Sequence, residues 1–312
     1  MKFSRRCQKL DSFTPMREWT FLGRTIRASL SAGLSDVLHR LIDFPELAAF
    51  GSSTWQIRIV QSADSAPPLE GTYPVKVHNG SVNVLTTDHG CWICAGDSAS
   101  HLEFDGSGVE LTLFGAEASM PICLGLALIE AIRASGLLPM HAAITLHAGV
   151  ALALTGTSGM GKTTTLMQAL SRGYTPVSED FAWLNPQSMR VHSVDRGLHC
   201  LPDTLARALE YFPHVKPIQA NPRKQLIPFA QIATQTWECG LHAIWKLERQ
   251  LELNSAVIPL SLAERVMTLF ETTGLPLTML TRAQAAAVIP RLAGELEIAK
   301  LRIGNTPLPF AS

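Results

Sequence analysis

A stretch of eight residues constrains this chain more than any other feature of its sequence. Residues 156–163 read Gly-Thr-Ser-Gly-Met-Gly-Lys-Thr and match the P-loop pattern G-x-x-x-x-G-K-[ST]. An uninterrupted apolar run at 150–154 precedes them, which is typical of a strand covered on both faces. Residues 162–172 follow with apolar side chains at helical spacing, and Gly173 provides a stop. The pattern predicts a strand–loop–helix unit in an α/β fold.

Each fixed position of this P-loop has a physical role. Glycines let successive backbone N–H groups turn inward and bind phosphate oxygens, and the helix starting near Gly161 adds its dipole. Lys162 is expected to contact the β- and γ-phosphates, and Thr163 to bind Mg²⁺. The motif therefore predicts ATP and Mg²⁺ as cofactors; a fortuitous Gly-rich turn is the alternative. The predicted nucleotide-binding residues are Gly156, Thr157, Ser158, Gly159, Met160, Gly161, Lys162, Thr163 and Thr164.

An acidic pair follows the predicted helix. The chain returns through a predicted strand at 174–178 to Glu179-Asp180. A carboxylate there can hold Mg²⁺ and can accept a proton from an attacking hydroxyl, whereas a solvated acidic turn is the plainer interpretation. His141 lies on another predicted strand, at 140–146, and by itself is more typical of a structural histidine.

Together, His141-Ala142-Ala143, the P-loop, Arg172-Gly173 and Glu179-Asp180 resemble the catalytic core of the HPr kinase/phosphorylase family. The resemblance is closer to the divergent relatives found with lasso-peptide biosynthesis clusters. In the family a histidine lies fifteen residues before the first P-loop glycine, and the acidic pair closes eighteen residues after the lysine; His141 and Asp180 have those spacings. The resemblance covers 137–184 well, continues weakly through 199–203 and 223–224, and does not extend to the first 115 residues.

The resemblance implies a fold and an activity. It implies a P-loop kinase core of the HPr kinase/PEP carboxykinase type, which we place at 116–312, after a β-rich N-terminal domain at 1–115. It also implies transfer of the γ-phosphoryl group of ATP to a serine hydroxyl of a protein or peptide, a lasso-peptide precursor being one candidate. The implied catalytic residues are Asp180, Glu179, His141 and Lys162, and the implied Mg²⁺ ligands are Thr163 and Asp180.

Two departures from the family pattern qualify these expectations. The first acidic residue is Glu179 where the family usually has Asp, which leaves open which carboxylate is the base. The C-terminal signature that supports reverse phosphorolysis is not recognisable, so we expect a kinase without an efficient phosphorylase reaction. Relatives of the family assemble, so a homo-oligomer is also expected. A kinase of a small-molecule hydroxyl and a nucleotide-switched regulatory or assembly factor are the alternative functions.

The remaining secondary-structure signals are local. An Asn-Gly turn at 79–80 predicts a hairpin between strands at 75–78 and 81–85. The other predicted strands lie at 55–60, 91–94 and 109–114, and 62–73 is predicted to be a loop. The predicted helices lie at 118–135, at 262–272 with Ser261 as N-cap, and at 282–293.

Several further residues are candidates for functional roles. Cys91 and Cys94 form a C-x-x-C, which is most typical here of core cysteines; zinc, with His89 and His101, and redox chemistry are the alternatives. Three histidines could contribute to an acceptor site but are more typical of structural or solvated residues: His192, His199 and His214. Three cations are candidates for γ-phosphate or acceptor contacts: Arg196, Arg223 and Lys224.

Composition excludes some classes of partner. Lys plus Arg equals Asp plus Glu at 26 each, so nucleic acid is not an expected partner. The most apolar helical candidate, at 118–138, is interrupted by charges, so no membrane association is expected. Six cysteines in a chain of this size suit a reducing compartment, which predicts a cytoplasmic protein.

Overall fold

The computed structural model describes residues 15–42, 44, 53–77 and 80–310. The chain is a mixed α/β protein, as predicted, and divides into two compact units. Unit 1 comprises Met1–Ser135 and Pro276–Ala283, and unit 2 comprises Gly136–Leu275 and Gln284–Ser312. Within the described residues, no helix is long and apolar enough to span a membrane.

Unit 1 contains an eight-stranded sheet in the order β1-β2-β3-β8-β7-β6-β5-β4. Its elements are β1 (Arg17–Phe21), β2 (Arg24–Ser29), α1 (Ala32–Ile42), β3 (Gln56–Gln61), β4 (Tyr73–Val77), β5 (Gly80–Thr87), β6 (Gly90–Ala95), β7 (Ser98–Phe104), β8 (Gly108–Gly115) and α2 (Met120–Ala134). The strands predicted around 55–60, 91–94 and 109–114 are confirmed as β3, β6 and β8, and the predicted helix at 118–135 is α2. The predicted hairpin is formed by β4 and β5, but turn residue 79 lies outside the described residues.

Buried and exposed side chains alternate along the strands of unit 1, which gives the sheet one apolar face. In β3 the side chains of Ile57 and Ile59 are buried while Gln56 and Arg58 are exposed. Helix α2 packs on β6, β7 and β8, with Cys123, Leu124 and Ala127 among its buried residues, and so covers the apolar face.

A buried carboxylate fixes a later segment of the chain within unit 1. Glu130, on α2, accepts hydrogen bonds from the Leu277 and Thr278 backbone N–H groups over 2.8 and 2.9 Å and from the Thr281 hydroxyl. Arg133 Nε lies 3.5 Å from its other oxygen. These contacts satisfy a carboxylate that is only 1% exposed.

Among its described residues, unit 2 contains two sheets. In the larger one, neighbouring strands follow the order β12-β10-β11-β18-β14-β13-β9, and β20 pairs with both β18 and β19. The smaller sheet has the order β15-β17-β16. Its elements are β9 (Leu138–His141), β10 (Ala143–His147), β11 (Val150–Thr155), α3 (Lys162–Leu170), β12 (Thr175–Ser178), β13 (Phe181–Asn185), β14 (Arg190–Ser193), β15 (Gly197–Cys200), α4 (Pro202–Tyr211), β16 (Ile218–Asn221), β17 (Lys224–Pro228), β18 (Glu238–Arg249), β19 (Ala256–Pro259), α5 (Leu262–Thr273) and β20 (Glu297–Ile303). Helix α6 (Met279–Glu295) is shared between the two units.

Strand β11 occupies the interior of the larger sheet. It pairs antiparallel with β10 and parallel with β18, and β18 in turn pairs parallel with β20. Residues 151–154 of the apolar run are buried, as predicted, and so is Thr155, whereas Val150 at the start of the run is exposed. The carboxyl ends of three parallel strands therefore meet at one edge of the sheet, where ligands of open α/β sheets bind.

The predicted continuous strand at 140–146 is wrong. The chain breaks at Ala142 into β9, which pairs with β13, and β10, which pairs with β11 and β12. Both pieces are apolar and largely buried, so the change of pairing partner leaves no mark on the hydrophobic pattern. The prediction for α5 is confirmed, with Ser261 as its N-cap, and the structure adds a capping box between Ser261 and Glu264. The predicted helix at 282–293 is also found, but it is longer, as α6.

Candidate functional site

The predicted P-loop, residues 156–163, connects β11 to α3, and three of its backbone positions have conformations that favour glycine. The φ angles of Gly156, Gly159 and Gly161 are 146°, 84° and 97°, which are unfavourable for residues with a Cβ. Gly161 is the N-cap of α3 and has no side chain to accept from the first turn of the helix. The amide groups of that turn can therefore bind an anion, assisted by the helix dipole.

Lys162 is buried against the loop that it follows. Its Nζ donates to the Gly156 carbonyl over 2.9 Å and lies 3.1 Å from His141 Nε2. Burial lowers the pKa of Lys162, against the opposing effect of the Asp180 and Glu179 carboxylates. When the lysine is protonated, His141 Nε2 must accept, so a neutral imidazole carries its proton on Nδ1.

That proton faces the second acidic residue. His141 Nδ1 lies 3.3 Å from Asp180 Oδ1, so a chain of contacts runs from Lys162 through His141 to Asp180. The Asp180 side chain is 53% exposed and the His141 side chain 48%, so this end of the cluster faces solvent. An incoming molecule can therefore reach Asp180.

The first acidic residue has different partners. Thr163 Oγ1 donates to Glu179 Oε1 over 2.6 Å, and Glu179 Oε2 lies 3.5 Å from His199 Nδ1. Glu179 is buried, with a side chain 8% exposed. The hydrogen bond to Glu179 raises the pKa of His199, against the effect of burial. His199, an open candidate at the level of sequence, thus belongs to the cluster.

Asp195 holds the turn that bears the acidic pair. Its Oδ2 accepts from Ser178 Oγ and from the backbone N–H groups of Glu179, Asp180 and Phe181, over 2.7, 2.9, 2.7 and 2.9 Å. Burial raises the pKa of Asp195, against the lowering effect of the hydrogen bonds from Phe181, Asp180 and Ser178. Sequence reasoning missed this residue, and its only local signal is a short turn in which the Ser193 hydroxyl accepts from the Asp195 N–H.

The remaining candidate residues are distributed as follows. In the loop, Thr157, Ser158 and Gly159 are exposed, and Met160, Gly161 and Thr164 are partly buried. Arg172 Nη1 donates to the Leu308 carbonyl. His192 is buried on β14, and His214 Nε2 bonds to the Gln231 carbonyl. Arg196 is exposed, Arg223 lies between β16 and β17, and Lys224, on β17, is close enough to His199 to oppose the rise of its pKa.

The C-x-x-C pair lies on β6 of unit 1. Cys91 is buried, Cys94 is half-buried, and both are free thiols. Burial raises the pKa of both thiols, most strongly that of Cys91. His101 stacks on Trp92 with ring centroids 4.2 Å apart. These features are typical of core residues, which was the favoured interpretation of the pair.

The donor set of the P-loop cluster fits a triphosphate with Mg²⁺. Backbone N–H groups and the Lys162 ammonium suit phosphate oxygens, and the Thr163 hydroxyl and the two carboxylates are oxygen ligands of the kind Mg²⁺ prefers. In the part of the chain that the structure describes, no group of three or more His, Cys, Asp or Glu side chains could hold a metal ion. Mg²⁺ sites at P-loops use few protein ligands, because phosphate and water oxygens complete the shell.

No family model matches this chain, and no curated protein matches it. Among solved structures, the HPr(Ser) kinase/phosphatase from Coxiella burnetii is similar with a TM-score of 0.27 and 10% sequence identity, over 53% of this chain and 85% of that chain.

Proposed function

We propose that this protein is an ATP-dependent kinase that phosphorylates a serine hydroxyl of a protein or peptide. The observation that carries the proposal is the convergence of two P-loop side chains on the acidic pair: Lys162 through His141 to Asp180, and Thr163 directly to Glu179. An ordinary Gly-rich turn requires neither contact. A kinase needs hydrogen-bond donors for the phosphates of ATP, a Mg²⁺ ligand and a general base in one place. This cluster contains side chains suited to all three roles.

Lys162 and the loop would bind the phosphates of ATP. An ammonium has three N–H donors, and the Gly156 carbonyl and His141 Nε2 account for two of them. The third is available to a β- or γ-phosphate oxygen. Because the Lys162 side chain is already buried and bonded, little conformational entropy remains to be lost when the phosphate binds.

The two carboxylates would divide the remaining work. Glu179 is buried and bonded to Thr163, which favours a role with Thr163 in holding Mg²⁺; bound there, the ion would neutralise charge on the transferring phosphoryl group. Asp180 is exposed beside His141, which favours it as the base. The acceptor oxygen bonds to the γ-phosphorus, the bond from that phosphorus to the bridging oxygen breaks to release ADP, and the hydroxyl proton passes to Asp180. In the alternative assignment of these roles, Asp180 binds Mg²⁺.

The choice of a serine in a protein or peptide depends on the motif spacings that resemble the HPr kinase family. A small-molecule hydroxyl would use the same phosphate loop and the same base, and a nucleotide-switched assembly factor would use the loop without an acceptor. The three functions therefore differ in the acceptor, which is what the experiment must detect.

The test is an intact-mass measurement. The purified protein is incubated with Mg-ATP and a precursor peptide encoded beside its gene, with Lys162→Ala as the control that removes the phosphate-binding ammonium. We expect the peptide to gain the mass of one phosphoryl group on a serine with the wild-type protein and none with the variant. No gain on any serine-containing peptide or protein, with acceptor-dependent ADP release from a metabolite panel, would contradict the peptide kinase and favour the small-molecule kinase.

A further inference from the structure

A cavity of about 280 Å³ lies in unit 2 beside the C-terminal half of α3. Its wall combines the end of α3, the end of α4 and the segment that follows β20. The residues of the wall that matter here are Gln168, Ser171, Tyr211, Ile303, Gly304 and Leu308. Neither the acidic pair nor His141 lines this cavity, so the phosphate chemistry described above does not account for it.

The cavity is next to the P-loop. Ile303 is the last residue of β20, whose carboxyl end lies at the same edge of the sheet as the carboxyl end of β11. A Cβ at Gly161 would lie only 3.9 Å from Ile303 Cδ1, so Ile303 borders the phosphate loop on one side and the cavity on the other. A ligand with its phosphates on the loop can therefore extend into the cavity.

The chemistry of the wall suits a heteroaromatic ring. Ile303 and Tyr211 offer apolar surface for the faces of a ring, and the Gln168 amide offers a donor and an acceptor side by side for its polar edge. The amide of Gln can pair bidentately with the edge of adenine. Arg172 also lines the cavity; its Nη1 donates to the Leu308 carbonyl, and its guanidinium lies 5.8 Å from the centre of the Phe310 ring.

We propose that this cavity binds the purine base of the nucleoside triphosphate. The inference rests on the proposed function, because it requires the phosphates to occupy the P-loop. It goes further by assigning the base to the segment after β20 and to the outer end of α3. Selectivity among nucleotides then depends on Gln168, which lies two turns of α3 beyond the lysine that binds phosphate.

The experiment compares two ligands that differ in the base. Calorimetry measures the binding of a non-hydrolysable ATP analogue and of inorganic tripolyphosphate, each with Mg²⁺, to the full chain. Gln168→Leu removes the polar edge of the wall, and Ser171→Trp fills the cavity from its exposed rim. Gln187→Leu, in the exposed turn after β13, is the matched control, and circular dichroism verifies that each variant is folded.

We expect Gln168→Leu to weaken binding of the ATP analogue roughly fivefold and Ser171→Trp to weaken it more, with tripolyphosphate unaffected. Lys162→Ala should weaken both ligands. If both cavity variants bind the analogue as the wild type does while Lys162→Ala loses it, the base binds elsewhere and the inference is overturned, although the proposed function stands. If the wild-type protein binds neither ligand, the proposed function fails and the inference fails with it.

Discussion

Thr163 Oγ1 donates a 2.6 Å hydrogen bond to Glu179 Oε1, which joins the first turn of α3 to the end of β12. The bond pairs the P-loop hydroxyl with the buried member of the acidic pair and leaves the exposed Asp180 to His141. The two adjacent carboxylates therefore have different environments. Under the proposed function, Glu179 lies beside the phosphates of ATP and Asp180 faces the acceptor.

Substitution of Glu179 should change the Mg²⁺ requirement. Glu179→Gln removes the charge beside Thr163, so we expect the Mg²⁺ concentration for half-maximal phosphoryl transfer to rise by about tenfold or more. Glu179→Asp creates the family's usual Asp-Asp pair, keeps the charge and should stay close to the wild type. If Glu179→Gln and the wild type have superimposable Mg²⁺ titrations, Glu179 does not help to hold Mg²⁺.

Substitution of Asp195 should lower the stability of the fold. Asp195→Ala leaves four donors around Ser178–Phe181 without their acceptor, so we expect the free energy of unfolding to fall by about 2–4 kcal/mol. Asp195→Asn retains one acceptor oxygen, so its free energy of unfolding should fall less. Chemical denaturation followed by circular dichroism measures the change, with the exposed Asp88→Ala as control. Equal unfolding midpoints for Asp195→Ala and the control would show that the turn does not need Asp195.

The His199–Glu179 contact should make stability depend on pH. The pKa of His199 is raised in the fold above its ordinary value of 6.5, so its stabilising contribution is complete below that value and is lost as the pH rises through the raised value. Unfolding of the wild type and of His199→Gln is compared in EDTA from about pH 6 to pH 9. We expect the stability difference to shrink as the pH rises. A difference that grows with pH would assign the opposite sign to the shift.

Removal of Glu130 should destabilise unit 1. Glu130→Ala leaves the backbone donors of Leu277 and Thr278 and the buried Arg133 without their carboxylate, and we expect a loss of about 3–5 kcal/mol. Glu110→Ala is a contrasting control, because Glu110 forms a surface pair with Arg58 and should cost under about 1 kcal/mol. Chemical denaturation measures the free energy of unfolding of both variants. A loss for Glu130→Ala no larger than that for Glu110→Ala would contradict a stabilising role of the buried carboxylate.

Local patterns accounted for much of the fold. The apolar run before the P-loop, the helical spacing after it and the stop at Gly173 predicted β11 and α3, because each signal extends over only a few neighbouring residues. Ser261 predicted the start of α5 for the same reason. The strand at 140–146 was wrong because pairing partners, which determine where a strand divides, are distant in sequence.

The site was only partly predictable. The resemblance to the HPr kinase family implied roles for His141 and Asp180, and the structure brings His141 Nδ1 within 3.3 Å of Asp180 Oδ1. Asp195 belongs to no motif, and it reaches the acidic turn only because β13 and β14 reverse the chain. His199 was one of several open candidates until its distance to Glu179 was known. Such contacts depend on tertiary structure, and composition and periodicity carry no record of them.

The most direct test of the central claim separates nucleotide binding from phosphoryl transfer in Asp180→Asn. This variant keeps the size of the side chain and removes the base. We expect transfer from radiolabelled ATP to the acceptor peptide to fall by about 100-fold or more, while binding of the non-hydrolysable ATP analogue stays within about threefold of the wild type. Phosphoryl transfer at the wild-type rate by folded Asp180→Asn would contradict the role of Asp180 as the base, and the absence of transfer by the wild-type protein itself would contradict the kinase site.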